Sequence, residues 1–178
     1  PYEPAKQLDR DGTAEVFNGA VYHQYNQYTL HSVHLQRSRY ERFRGSDSTA
    51  IIYMVMSSEV LMKSVFKLYL ESELRWDEER VLEALEDTST KQLITSKMPD
   101  VLGGNWNISS KKDTPARQWY EGVYAVRNRI VHSGYSPNTD EVQRALETSY
   151  ELRDFLFSRI KAQIKEKPYL SVLAPSPG

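Results

Sequence analysis

The segment RNRIVH, residues 127–132, brings a guanidinium, an amide and an imidazole close together on one predicted helix. An imidazole transfers protons near neutral pH, and a guanidinium stays charged and pairs with phosphate through two parallel N–H bonds. The Asn128 amide lies four positions before His132, so it can hydrogen-bond either the imidazole or a phosphate oxygen. These residue types suit proton transfer by the imidazole and binding of an anionic group by the guanidinium.

Two stripes run along this helix, which is predicted over residues 116–132, after an Asp-Thr-Pro start and before Gly134. At about 100° per residue, the first stripe is apolar and must face the core: Trp119, Val123, Val126 and Ile130. The second mixes aromatic and polar residues: Tyr120, Tyr124, Asn128 and His132, with Arg127 and Val131 beside them. A solvated face would carry Lys, Glu and Gln, so this mixture favours an interface or a lined cleft.

The rest of the chain is predicted to be all-α, a bundle of four to five helices. An apolar helix after Gly45 is predicted at its centre. The helices are expected over residues 20–44, 49–74 and 77–96 (one or two short helices), 116–132 and 138–165, with a long loop at 99–112. The domain is predicted over residues 20–166, with residues 1–19 as a tail or linker and residues 167–178 as a second tail.

Composition excludes several kinds of chemistry. The chain has no cysteine, which rules out disulfide scaffolds, Cys-ligated zinc and thiol nucleophiles. Its net charge of −1 gives no overall attraction to nucleic acid, so any such contact must be local. We find no signal-peptide pattern and no apolar run near the ~20 residues that span a bilayer, so we expect a cytoplasmic protein without a membrane segment. The chain starts at Pro1, which leaves open a preceding domain.

Arg127-Asn128-Arg129-Ile130-Val131-His132 resembles the Arg-x4-His motif of the HEPN superfamily, including the Asn that often follows the Arg. In that family the motif lies near the end of a late helix, before a turn and one more long helix. It packs against an earlier apolar helix that carries an acidic residue and a Lys, as residues 58–63 do here. The resemblance covers residues 20–165. It implies a HEPN-like bundle that dimerises through the motif helices and forms a composite ribonuclease site without a metal.

The reaction that the resemblance implies is attack of an RNA 2′-OH on phosphorus to leave a 2′,3′-cyclic phosphate, in which His132 moves a proton and Arg127 stabilises developing charge. The catalytic candidates are Arg127, Asn128 and His132, and the supporting candidates are Glu59, Tyr124 and Tyr135. Glu59 also has a plain explanation, which we favour: an i,i+4 pair with Lys63, worth about 0.2–0.5 kcal/mol on a solvated helix. HEPN toxins paired with a minimal nucleotidyltransferase antitoxin usually carry a Tyr two residues after the His, whereas Tyr135 is three residues after it. Relatives in abortive infection and other anti-phage defence therefore fit at least as well.

Four arginines and a tyrosine cluster at the end of the first predicted helix: Arg37, Arg39, Tyr40, Arg42 and Arg44. RNA bases can stack on the Tyr and phosphates can pair with the Arg side chains. Alternatively, the cations simply complement the helix dipole, with Glu41 among them, and this explanation is slightly favoured. The candidate RNA-binding residues are Arg37, Arg44 and Arg129.

Three histidines precede this cluster, namely His23, His31 and His34. None has a carboxylate four positions later, and His31 and His34 supply two ligands at most, so we expect no metal and no other cofactor.

The sequence therefore predicts a metal-independent endoribonuclease of the toxin or anti-phage defence type. It is expected to act on RNA as a homodimer through the helix of Tyr120, Tyr124 and His132, with an antitoxin or a sensor domain as its controlling partner. Two alternatives stay open. One is a non-catalytic HEPN-like module that dimerises or binds a partner or a nucleotide. The other is a purely structural bundle in which Arg127 pairs with a carboxylate and His132 caps its helix.

Overall fold

The computed structural model describes residues 29–109 and 113–174 of the chain. In these residues all regular structure is helical, which confirms the all-α prediction. The main helices are α1 (Leu30–Phe43), α2 (Asp47–Ser72), α3 (Glu78–Asp87), α4 (residues 90–102), α5 (residues 115–133) and α6 (Thr139–Gln163). A short 3-10 helix, Pro168–Leu173, follows α6.

The central helix of the bundle is α2, as predicted. It packs against each of the other five helices and against the 3-10 helix. Its buried side chains run almost all round it, from Ala50 to Leu70. Among the described helices, α2 is also the one that is long and apolar enough to cross a bilayer, and 56% of its most apolar stretch is buried inside the protein. Burial of that stretch against neighbouring helices is what a bundle centre requires.

The chain reverses between α1 and α2 at Gly45. This residue has φ 76°, a left-handed conformation that a glycine adopts without a side-chain penalty. The Ser46 N–H donates to the Glu41 carbonyl across the turn at 2.8 Å. The predicted end of the first helix is therefore confirmed, while its predicted start at residue 20 lies outside the described residues.

Helix α4 continues through Pro99, where the sequence predicted a loop to begin. It consists of α-helical Thr90–Gln92, a π turn at Leu93–Lys97 and α-helical Met98–Leu102. Within a regular α-helix, a proline lacks an N–H donor and its ring clashes with the carbonyl four residues before it. In the π turn the Met98 N–H donates to the Leu93 carbonyl, five residues back instead of four. This change in the hydrogen-bond pattern lets the helix accommodate Pro99.

The segment after α4 is held to the core rather than being free of structure. Trp106 is 2% exposed, its ring lies 4.8 Å from that of Phe155, and its indole N–H donates to the Gly103 carbonyl. The Arg159 guanidinium donates two hydrogen bonds to the Leu102 carbonyl, at 3.2 and 2.9 Å. A cation from α6 thus caps the end of α4. The predicted loop at 99–112 was wrong for residues 99–102, which are helical, residues 103–109 have no regular structure, and residues 110–112 lie outside the described region.

The chain after α6 was predicted to be a tail over residues 167–178, and this was wrong for residues 168–173, while residues 175–178 lie outside the described region. Leu170 and Leu173 of the 3-10 helix are 0% and 5% exposed and join the core. Lys167 donates to the Val101 carbonyl at 2.6 Å, and the Tyr169 hydroxyl donates to Glu73. The Pro and Ser residues suggested a linker, but two leucines three positions apart fall on one side of a 3-10 helix.

Candidate functional site

Helix α5 begins and ends where its sequence predicts. The Thr114 hydroxyl accepts a hydrogen bond from the Arg117 N–H at 3.2 Å, and Pro115 occupies the first helical position. At the other end, Gly134 has φ 63°, and the Gly134 N–H donates to the Ile130 carbonyl. These caps fix both ends of the helix that carries the candidate motif.

A π turn at Tyr120–Tyr124 interrupts α5, which was predicted as a continuous α-helix. The Ala125 N–H donates to the Tyr120 carbonyl, five residues back. The Tyr120 and Tyr124 rings stack at 5.2 Å, and the Tyr124 ring lies 5.9 Å from that of Trp119. Tyr124 is therefore partly engaged in packing with its own helix rather than projecting freely from it.

The predicted apolar stripe of α5 does face the core. Trp119, Val123 and Val126 are buried, and Ile130 packs against the core while half-buried. This burial fixes which way the remaining side chains of α5 point.

The three catalytic candidates lie in the regular α-helical part of α5, Ala125–Ser133. The Arg127 guanidinium donates to the Asn128 side-chain oxygen at 3.1 Å, and both residues are half-buried. His132 is exposed, and within the described residues its ring has no hydrogen-bond partner. At about 100° per residue, Asn128 and His132 lie about 40° apart around the axis, whereas Arg127 and His132 lie about 140° apart. Within one protomer, therefore, Arg127 contacts Asn128, and His132 lies on the neighbouring part of the α5 surface.

Tyr135 and Arg129 meet each other and Glu141 at the junction of α5 and α6. The Tyr135 hydroxyl donates to a Glu141 oxygen at 2.6 Å, and the Arg129 guanidinium lies 3.3 Å from the other oxygen and 4.1 Å from the Tyr135 ring centre. The Tyr135 hydrogen bond is the main cause that lowers the pKa of the Glu141 carboxyl, and the Asn138 N–H acts in the same direction. The same hydrogen bond raises the pKa of the Tyr135 hydroxyl. The cluster ties the end of α5 to the capping box of α6.

Glu59 has a partner that the sequence did not suggest. Its carboxylate accepts a hydrogen bond from the Thr90 hydroxyl at the start of α4, and it forms no ion pair with Lys63 within the described part of the chain. The expected i,i+4 pair was wrong because the bundle brings α4 against this face of α2. Glu59 is half-buried and links two helices.

The α1 arginines differ in whether they contact a carboxylate or an aromatic ring. Arg37 forms an ion pair with Glu41 at 2.8 Å, and its guanidinium lies 5.1 Å from the Tyr40 ring centre. Arg44 approaches the same Tyr40 ring at 5.6 Å. Arg39 is exposed and Arg42 is half-buried, and neither has a carboxylate partner in the described residues.

The two described histidines of α1 are engaged in packing. His31 is 6% exposed and meets the Phe157 ring at 5.6 Å, and His34 stacks on Tyr53 at 5.9 Å. Burial lowers the pKa of His34. In the part of the chain that the structure covers, no three His, Asp or Glu side chains are placed to share a metal ion, and His23 falls outside that part.

Comparison of the chain with protein-family models, curated proteins and solved structures gives no match. Any assignment of function therefore depends on the residues and their geometry.

Proposed function

We propose that this chain is a metal-independent endoribonuclease whose site is formed by Arg127, Asn128 and His132. The observation that carries the proposal is the side-chain arrangement on α5. The Arg127 guanidinium is held against Asn128 at 3.1 Å, and the exposed His132 imidazole lies on the adjoining surface. Within the described residues Arg127 forms no ion pair with a carboxylate, so the guanidinium is available to bind a phosphate.

These groups supply what RNA cleavage needs. His132 of one protomer takes the proton from the 2′-OH, and the 2′-oxygen then attacks phosphorus. The bond between phosphorus and the 5′-oxygen breaks, and that oxygen receives a proton from His132 of the second protomer. The products are a 2′,3′-cyclic phosphate and a 5′-OH. Arg127 stabilises the extra negative charge on the phosphate oxygens throughout, and the Asn128 NH₂ orients a phosphate oxygen or an imidazole.

A second protomer is part of the proposal because the Arg127 guanidinium and the His132 imidazole do not lie on the same side of one α5 helix. Arg127 and His132 project about 140° apart around α5. Two α5 helices that face each other bring the His132 of one close to the Arg127 of the other. Val131, which lies between the two on this surface, is 51% exposed, and burial of apolar side chains is the expected driving force for such a contact.

The experiment that tests the proposal is an RNA cleavage assay in EDTA with a labelled single-stranded RNA and with total tRNA. The variants are Arg127→Ala and His132→Ala, and the control is Arg144→Ala, which removes an exposed guanidinium from α6 outside the motif. We expect the parent and the control to cleave alike. Each motif variant should be slower by about 100-fold or more, the usual contribution of a general acid or base for His132 and of a charge-stabilising donor for Arg127.

Two results would count against the proposal. Equal cleavage by the parent and both motif variants would place the activity elsewhere or in a contaminant. Absence of cleavage by a parent that forms dimers would favour the alternative, a non-catalytic module that dimerises or binds a partner or a nucleotide. The exposed Val131 suits that alternative equally well, so the oligomeric state alone does not distinguish the two functions.

A further inference from the structure

A groove of about 720 Å³ opens at the end of the bundle where α1 ends and both α2 and α6 begin. Its lining combines two arginines with aromatic and aliphatic side chains and one carboxylate: Arg39, Arg42, Tyr40, Phe43, Leu146 and Asp47. It is separate from the α5 motif, since Arg127 and His132 are not part of its lining.

The groove has an unbalanced positive charge. Arg37, on the same helix, is neutralised by the buried Glu41 at 2.8 Å. Arg39 and Arg42 have no such partner among the described residues. The groove lining therefore carries two positive charges and one carboxylate, that of Asp47. Asp47 lies in the first turn of α2, where the helix dipole already favours a negative charge. Two guanidinium groups are therefore available to an anion.

The same groove exposes aromatic rings that proteins usually bury. Phe43 is 90% exposed and Tyr40 is 49% exposed. Aromatic rings beside arginines are what single-stranded nucleic acid requires, because bases stack on the rings while the guanidinium groups pair with phosphates. An apolar protein partner fits less well, since it would remove Arg39 and Arg42 from water without giving them counter-charges.

The groove also lies near the proposed catalytic end of α5. Thr139, the first residue of α6, lines the groove and follows His132 by seven residues. Seven residues span at most about 25 Å, so the groove and His132 lie within reach of one short RNA strand. We propose that this groove binds single-stranded RNA next to the nucleotide cleaved at α5. The choice of RNA as ligand rests on the proposed function.

The test is fluorescence anisotropy with a labelled 2′-O-methyl RNA 12-mer, which has no free 2′-OH and is not cleaved. The variants are Arg39→Gln/Arg42→Gln and Phe43→Ser. The control is Lys161→Gln/Lys165→Gln, which removes two exposed charges, one in the last turn of α6, about 33 Å from Thr139, and one just after that helix. Every residue replaced is exposed except Arg42, which is half-buried, so we expect all three variants to fold.

We expect Phe43→Ser to weaken binding by about fivefold or more, as loss of a stacked base does. The arginine variant should lower the slope of log K against log salt concentration by about 1.4, because each phosphate contact on a single strand adds about 0.7. Equal effects of the lysine control would overturn the proposal, as would binding that is unchanged in both groove variants. If Phe43→Ser changes the oligomeric state but not the RNA affinity, the RNA proposal is overturned, and the groove is instead an interface between two copies of the chain. Because the probe is not cleaved, a failure of the ribonuclease proposal does not alter this readout.

Discussion

Gly122 lies inside the π turn of α5, and its replacement by alanine tests the geometry of that turn. A Cβ atom built on Gly122 meets nothing within 4 Å. The added methyl group therefore has room, and alanine loses less conformational freedom than glycine when a helix forms. We expect Gly122→Ala to raise the free energy of unfolding by about 0.5–1 kcal/mol.

Gly104→Ala is the matched control, because it adds the same methyl group where the backbone conformation and a neighbouring side chain disfavour it. Gly104 has φ +94°, and a Cβ atom there lies 3.0 Å from Nε of Arg159. That guanidinium caps α4 through the Leu102 carbonyl, so it does not move without loss of its hydrogen bonds. We expect this substitution to lower the free energy of unfolding by about 1 kcal/mol or more.

Urea unfolding followed by fluorescence of the three tryptophans measures both changes. The thermal midpoint should move by about 2–4 °C per kcal/mol for a chain of this length, upward for Gly122→Ala and downward for Gly104→Ala. A destabilised Gly122→Ala variant would show that the π turn does not have the open surroundings described. A neutral Gly104→Ala variant would show that Arg159 does not pack over the end of α4.

Leu170→Ala should lower the free energy of unfolding by about 2–5 kcal/mol because the side chain is fully buried, while Val172→Ala, at a position 55% exposed, should change it little in the same urea titration. In the Glu141→Gln variant, the free energy of unfolding should decrease less than in the parent as the pH falls. The lowered pKa of Glu141 means that the carboxylate contributes stability at neutral pH, and this is lost as the pH falls through that pKa. Thermal unfolding of parent and variant across acidic pH checks this, and parallel profiles would contradict it.

The sequence was most informative where local rules decide the structure. The Thr114-Pro115 start and Gly134 stop of α5, and the Asn138 start of α6, were predicted because caps depend on a few adjacent residues. The apolar stripe of α5 was also predictable, since burial follows the helical period.

Tertiary contacts decided the features that the sequence did not reveal. The spacing of apolar residues in α4 and α5 does not distinguish their π turns from regular α-helix. The Glu59 contact with Thr90 joins residues 31 positions apart, and the capping of Leu102 by Arg159 spans 57 positions. Pairing at such separations depends on how the helices pack, which one sequence does not specify.

The candidate site was predictable as a set of residues on one helix but not as an assembled centre. The proximity of Arg127 and Asn128 follows from their adjacent positions, and the structure adds their hydrogen bond. Tyr135 and Arg129 were grouped with the motif from sequence, and the structure shows that they share Glu141 at the junction with α6. No sequence pattern indicated that Glu141 joins them, because its capping role alone explains its presence.

The most direct test of the central proposal uses a DNA oligonucleotide with one ribonucleotide, beside an all-RNA strand and an all-DNA strand, each incubated with the parent protein in EDTA. Attack by the 2′-oxygen predicts cleavage of RNA to cyclic-phosphate ends, cleavage of the chimera only after its ribonucleotide, and none of the DNA. It also predicts that His132→Ala abolishes both cleavages. Cleavage of the all-DNA strand, or RNA products that lack the cyclic phosphate, would contradict the assignment of His132 and Arg127 to this reaction.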